Sequence, residues 1–326
     1  MGPPGKMPWG KAPTPNDLPA CKVKFTESNP VNWAKCPFGG VAFWLLYNMI
    51  QKSDTFSKIC VIYEDQRNLY NKDMIQMDGG ISLFNITIIG GTGWLGSEIA
   101  LEADQRGHRV TVISRNPADI RYTMTPDLPS LKADAASLEE LMAAVPDDTD
   151  ILVNALIPDP FIHNTFTDWC RNVVECCRAK HIGRLIAVSD ACVFEVRPGL
   201  RLNETTFLTP FYRDWFGEHV HTHEMYLKEK EVNWLEIAPA AKCLPDKQLR
   251  EYNISVDSLC TLDERVAALD TPDPDHYPFA DTSYISTQDF GCAVVDEIEQ
   301  NRFNRTRICV AWKVPHVMYQ TEGVSR

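Results

Sequence analysis

Gly90, Gly93 and Gly96 stand three residues apart in Asn85-Ile86-Thr87-Ile88-Ile89-Gly90-Gly91-Thr92-Gly93-Trp94-Leu95-Gly96. The spacing G-x-x-G-x-x-G suits one chemistry, the holding of a diphosphate. Gly90 would let the chain turn sharply out of a strand. Gly93 would let backbone approach the phosphates, and Gly96 would let a following helix pack close. The diphosphate would then rest on the positive end of that helix, beside Thr92, Trp94 and Leu95. The elements that must position this loop are legible on both sides. Ile86, Ile88 and Ile89 read as a buried strand, and Ile99, Ala100 and Ala103 mark an apolar helix face ending at Arg106-Gly107-His108. Arg109–Ser114 follows at once as a second strand. This is a βαβ unit of about 30 residues, the size a dinucleotide-binding turn requires.

The end of the second strand bears on the cofactor. Sites specific for NAD place Asp or Glu there to bind the ribose 2′-hydroxyl. Here the residues are Ser114 and Arg115, with no acid. A guanidinium can pair with a 2′-phosphate and stack on adenine, so the expected cofactor is NADP, with NAD as the alternative. The bland reading of Arg115 is a solvated arginine after a strand.

Beyond this unit the chain alternates strand and helix, which predicts an α/β fold, a Rossmann-type doubly wound parallel sheet. Strands are expected near Leu131, over Ile151–Ala155, Arg184–Ser189 and Asn233–Ile237, and last over Arg307–Ala311. Helices are expected after Ser137, over about 165–180 and 218–230, and from Ser286, where Asp289 follows the cap by three residues. The predicted domain spans 81–326, with substrate loops in its C-terminal half. Residues 1–80 read as an irregular extension. Its first twenty residues are Pro/Gly-rich and are expected to be disordered. Either it is an appendage, or the working protein starts near Met77.

The net charge of -12 argues against nucleic acid and anionic membrane as partners. Residues 1–80 hold 9 Lys/Arg against 7 Asp/Glu, so the rest of the chain carries the whole acidic excess. The longest apolar run, Gly39–Tyr47, is too short to span a bilayer. Eleven irregularly spaced cysteines with no C-x-x-C pair read as free thiols in a reducing compartment, which predicts a cytoplasmic protein. The expected partner is a small-molecule substrate; the oligomeric state is left open.

With these elements in order, the chain resembles the atypical short-chain dehydrogenase/reductase superfamily, in particular its NAD(P)H-binding NmrA-like and biliverdin/flavin-reductase-like branch. The resemblance covers roughly Ile81–Trp312. It rests on Gly90–Gly96, Val112-Ile113-Ser114-Arg115-Asn116-Pro117, Asp134, Val188-Ser189, Asn233–Pro239 and Tyr284-Ile285-Ser286-Thr287-Gln288-Asp289-Phe290. It implies that Asp134 sits near the adenine, that Ala155 and Leu156 line the ribose, and that Pro239 and Ala240 border the nicotinamide.

Many members use Ser with Tyr-x-x-x-Lys, the Tyr giving a proton to a carbonyl. Tyr226-Leu227-Lys228-Glu229-Lys230 matches by letters. It ends only about three residues before the next strand, which puts Tyr226 at the wrong end of its helix. Tyr212 lies at a better distance, but its lysine position is Phe216. Ser189, ending the fifth strand, is the better candidate to hydrogen-bond a substrate, with a loop-capping serine as the bland alternative. Without the Tyr/Lys pair, hydride transfer suits a flat conjugated acceptor whose proton comes from solvent. Phe161, Phe194, Phe207, Phe211, Tyr212, Trp215 and Phe216 would either stack on such a ligand or form a lid's own core. His219 and His223 share a helix face at i, i+4 but lack a third ligand, so a solvated face is expected and no metal. The reading is an NADPH-dependent reductase of a flavin, quinone or similar acceptor. Its alternatives are a non-catalytic NADP-sensing regulator and an epimerase or dehydratase.

Overall fold

The computed structural model describes residues 83–117, 128–162, 164–205, 207–262 and 282–316. The expectations for residues 1–80 lie outside these.

The elements run β1 (Asn85–Ile89), α1 (Trp94–Gln105), β2 (Arg109–Ser114), β3 (Ser130–Lys132), α2 (Leu138–Ala144), β4 (Ile151–Asn154), α3 (Phe166–Ala179) and β5 (Arg184–Val188). There follow β6 (Glu195–Arg197), β7 (Leu200–Arg201), α4 (Pro210–Phe216), α5 (Glu218–Lys228), β8 (Trp234–Pro239), β9 (Lys242–Leu244), β10 (Tyr252–Val256), β11 (Tyr284–Ser286), α6 (Thr287–Gln300) and β12 (Thr306–Trp312). Eight strands form one sheet in the order β10-β12-β8-β5-β4-β1-β2-β3. Seven are parallel, and only the edge strand β10 runs antiparallel, against β12. This is the doubly wound sheet expected from the sequence.

The central strands β4, β5 and β8 are buried along their whole length. Continuous apolar runs suit them because helices cover both faces. Alternate residues serve the two sides. Ile86, Ile88, Ile186, Val188, Leu235 and Ile237 pack with Ile99 of α1 and with Phe290 and Val294 of α6. Ile89, Ile113, Leu152, Leu185 and Trp234 pack with Leu141 of α2, Val173 and Cys177 of α3 and Tyr226 of α5. Each fully enclosed Ile or Leu contributes about 1.5–3 kcal/mol by leaving water.

The two predicted caps form. Ser137 Oγ accepts from the Glu140 N–H at 3.2 Å, and Ser286 Oγ accepts from the Asp289 N–H at 3.1 Å. A buried ion pair ties β5 to the end of α6: Arg184 Nη2 donates to Glu297 Oε1 at 3.0 Å and to the Phe303 carbonyl at 2.8 Å. Elements not expected from the sequence are the hairpin β6–β7, the short helix α4, the edge strand β10 and the small parallel pair β9–β11. All are too short for a hydrophobic period to declare itself. The eight described cysteines are all unpaired, and seven of them are buried.

Candidate nucleotide and substrate site

Strand order reverses between β1 and β4, and ligands of open α/β sheets bind outside the carboxyl ends of strands at that point. Gly90 leaves β1 with φ +79°, the left-handed region that glycine alone enters without strain. Its N–H donates to the Ile113 carbonyl at 2.8 Å, and its carbonyl accepts from the Gly93 N–H at 2.9 Å. A Cβ on Gly90 would meet the Ala155 carbonyl oxygen at 2.8 Å, and one on Gly96 would meet the Gly90 oxygen at 2.3 Å. The loop is therefore a backbone cradle that side chains would fill.

Gly93 is the N-cap of α1. It supplies no capping side chain, and the first turn holds no acid. No acid in that first turn competes for this helix end, which suits a diphosphate. Thr92, Trp94 and Leu95 are half-buried on its rim.

Around the cradle, Ala155 N–H donates to the Ile89 carbonyl at 2.8 Å, and Leu156 N–H donates to Asn154 Oδ1 at 3.3 Å. Ser114, at the end of β2, has its Oγ enclosed with no hydrogen-bond partner. Arg115 beside it is exposed. Asp134 shapes a turn: its Oδ1 accepts from the Ala136 N–H at 3.0 Å, and its own N–H donates to Glu140 Oε2 at 2.9 Å. Pro239 ends β8 fully buried, and its carbonyl accepts from Cys309 Sγ at 3.5 Å. An orphaned hydroxyl, a glycine cradle and an uncapped helix end fit a dinucleotide.

The model of the NAD(P)H-binding family matches residues 90–261, from the first glycine of the cradle past β10. The chain belongs to the NAD(P)H-binding family. The uncharacterized protein YwnB of Bacillus subtilis is 26% identical over 228 residues, which is 69% of this chain and 97% of that protein. Among solved structures, a Burkholderia pseudomallei protein named as exported is 26% identical with a TM-score of 0.59, covering 71% of this chain and all of its own. A Bacteroides thetaiotaomicron protein named as an epimerase shares the fold, with TM-score 0.61 and 24% identity over 71% of this chain and 98% of its own. A nicotinamide cofactor is thus the family's ligand, and the resemblance read from the motifs holds. No helix among the described residues is long and apolar enough to cross a membrane.

The substrate side of this NAD(P)H-binding fold departs from the sequence reading in three ways. First, no hydrogen bond joins the two catalytic candidates among the described residues. Ser189 follows β5 at 5% exposure, and its Oγ donates to Glu236 Oε1 at 3.4 Å. Tyr212 packs instead with the cluster on the α1/α6 side of the sheet, stacked on Phe216 at 4.6 Å. Burial, then the nearby Asp190, pushes its phenol above the usual tyrosine range.

Second, the solvated face expected at His219 and His223 is buried, at 3% and 6% exposure. His219 lies against Phe166, ring centroids 4.7 Å apart, and burial pushes its imidazole down to about 3, so it is neutral. His223 Nδ1 contacts Glu236 Oε2. No group of three potential metal ligands occurs among the described residues.

Third, the aromatic residues mostly serve one another. Phe194 and Phe216 are core residues, and Trp215 lies against Phe216 with its Nε1 donating to the Pro158 carbonyl at 2.7 Å. Phe161 is the most exposed of them, at 74%. A cleft of about 310 Å³ between Asn203, Arg213, Asp214 and His221 contains none of the predicted site residues.

Tyr226 is sealed at 1% exposure, stacked on Trp234 at the start of β8, while Lys230 Nζ donates to the Leu227 carbonyl at 3.2 Å. The Tyr-x-x-x-Lys letters do not form a pair at the crevice.

The sequence reading missed Glu236 and Glu98. Glu236 is the one charged residue inside an otherwise apolar strand, which is a visible signal of a buried functional or paired group. Glu98 lies in the second turn of α1 at 9% exposure. Burial, then neighbouring Glu102, pushes its carboxyl up to about 7, with the Thr287 hydroxyl opposing. Nothing in its spacing distinguishes it from a surface helix glutamate.

Proposed function

We propose that this chain is an NADPH-dependent reductase that delivers hydride to a flavin, quinone or similar conjugated small molecule. The observation that carries the reading is a contrast at one crevice. The nucleotide cradle is complete, yet the only Tyr-x-x-x-Lys has its tyrosine sealed in the core. When bound, a reduced nicotinamide supplies the hydride. The protein's part is to bind, orient and shield. Gly90, Gly93 and Gly96 let the backbone turn tightly and bring the N-terminal end of α1 close to the diphosphate. Ser114 and Arg115 favour the 2′-phosphate of NADP over the free hydroxyl of NAD. Asp134, Ala155, Leu156 and Pro239 line the adenine, ribose and nicotinamide positions, and Ser189 orients the acceptor. With no Tyr/Lys pair at the edge among the described residues, acceptors whose reduced form takes its proton from solvent are favoured.

A Streptococcus pneumoniae protein named as an NADH-flavin reductase shares the fold at TM-score 0.56 and 18% identity, which supports the architecture alone. The missing pair also suits a second reading, an NADP-sensing regulator without turnover. NADPH oxidation followed by absorbance, with FMN, quinones and dicarbonyls offered in turn, decides between them. Turnover with any of these supports the reductase. Tight NADPH binding with no turnover on any acceptor supports the sensor.

A further inference from the structure

Ser189 sits one residue past β5, at the same carboxyl edge where Ala155 leaves β4 beside Gly90. Its hydroxyl has a single hydrogen. That hydrogen goes to Glu236 Oε1 at 3.4 Å. Glu236 is 1% exposed, and its other oxygen is taken by His223 Nδ1, itself at 6% exposure. With Glu236 ionised the carboxylate only accepts, and His223 in its Nδ1–H tautomer is then the donor to the second oxygen. Among the described residues no second partner reaches Ser189 Oγ. What Ser189 has left to offer is therefore a lone pair.

This reverses the polarity usually asked of a serine beside a reducible centre. A serine that donates to a substrate carbonyl must keep its hydrogen for the substrate. Here the hydrogen is spent on a buried carboxylate that a histidine from α5 holds in place. Glu236 and His223 come from β8 and α5, and Ser189 follows β5, so the arrangement depends on the tertiary fold.

We propose that Glu236, held by His223, is a positioning residue that fixes Ser189 as a hydrogen-bond acceptor, so that the site selects conjugated acceptors presenting an N–H or O–H donor. The inference rests on the reductase reading above and narrows it. Ring systems carrying an imide, lactam or pyrrole N–H are preferred. Fully carbonyl-lined rings such as quinones meet the lone pair of Ser189 with lone pairs of their own, and are disfavoured.

The test uses a matched pair, lumiflavin and its N3-methyl derivative, offered to the full-length protein with NADPH. Two quantities are read for each flavin: kcat/KM from NADPH oxidation, and Kd in the presence of NADP by flavin fluorescence. Wild-type protein is expected to favour the N–H compound by about ten-fold, the worth of one neutral hydrogen bond. Ser189→Ala should bring that ratio to within about two-fold, since the acceptor is gone. Glu236→Gln should do the same, because an amide can donate to Ser189 and release its hydrogen. The readout is a ratio within one protein, so a general loss of stability cancels. If Glu236→Gln fails to fold, His223→Leu, which has no donor and leaves the carboxylate without its clamp, is expected to reduce the ratio.

A ratio lost in Ser189→Ala but unchanged in the Glu236 and His223 variants overturns the positioning role. A wild-type ratio near one, or no binding of either flavin, overturns the whole inference. The reductase reading fails separately, when NADPH is oxidised with none of the acceptors offered.

Discussion

At the β1–α1 turn the backbone itself forms the cradle, and the side chains there matter by being absent. At the carboxyl end of β5 the groups are side chains, Ser189, Glu236 and His223, brought together from three elements. The first region is made within twelve consecutive residues. The second spans sequence separations of 47 residues between Ser189 and Glu236 and 13 between His223 and Glu236. A backbone cradle tolerates change in its neighbours but no added atom. A side-chain cluster tolerates a conservative exchange in shape but no change in who donates and who accepts.

The most damaging way to challenge this contrast is to add one methyl group to the cradle. Gly96→Ala would place a Cβ about 2.3 Å from the Gly90 oxygen. We expect a loss of more than about 4 kcal/mol in stability, or loss of folding, with NADPH affinity gone. Urea unfolding and calorimetry would show it, and a fully folded Gly96→Ala protein that binds NADPH would refute the cradle.

Next comes a side-chain pair remote from the crevice. Glu297→Gln strips the buried Arg184 guanidinium of its counter-charge. A cost of about 3–5 kcal/mol is expected in urea unfolding, with no change in NADPH affinity per folded molecule. A change in that affinity would mean that the two ends of the sheet are coupled.

Glu98 crosses the boundary, being a charged side chain on the cradle's own helix. Its carboxyl is raised from 4.5 to about 7 in the fold, so ionising it destabilises the native state. Below 4.5 both folded and unfolded forms are protonated and nothing is lost; stability then falls as pH rises towards 7, and the full penalty persists above. Glu98→Gln should therefore stabilise by up to about 3 kcal/mol near pH ~8 and by almost nothing near pH ~4. Equal effects at both pH values would refute the shift.

The smallest expected effect concerns Arg115. Because it is exposed, Arg115→Ala should weaken NADPH about ten-fold and leave NADH nearly unchanged in calorimetry. Equal losses for both would return Arg115 to a solvated residue.

The same contrast explains what could be read before the structure. The β1–α1–β2 unit, the central strands and the caps at Ser137 and Ser286 announce themselves locally, through apolar runs and residues at fixed offsets. The face of α5 does not. Its buried stripe is Glu218, His219, Thr222, His223 and Tyr226, spaced as a core face but made of polar and titratable residues. Hydropathy reads such a stripe as wet, and only the partners in β8 and α3 show why it is dry. Tyr212 was legible by distance along the chain, yet it packs among the residues of the α1/α6 side and stacks on Phe216, which spacing alone does not reveal.

The unpaired thiols have an experimental consequence. Burial pushes Cys170 up to about 12 and raises Cys177, Cys192, Cys292 and Cys309 as well, so the nucleophilic thiolate is scarce in the native molecule. An alkylating reagent must wait for the surrounding layers to part before it can react. Residue-resolved labelling with such a reagent would time the opening of α3, the β5 end, α6 and β12 one by one, with no engineered probe.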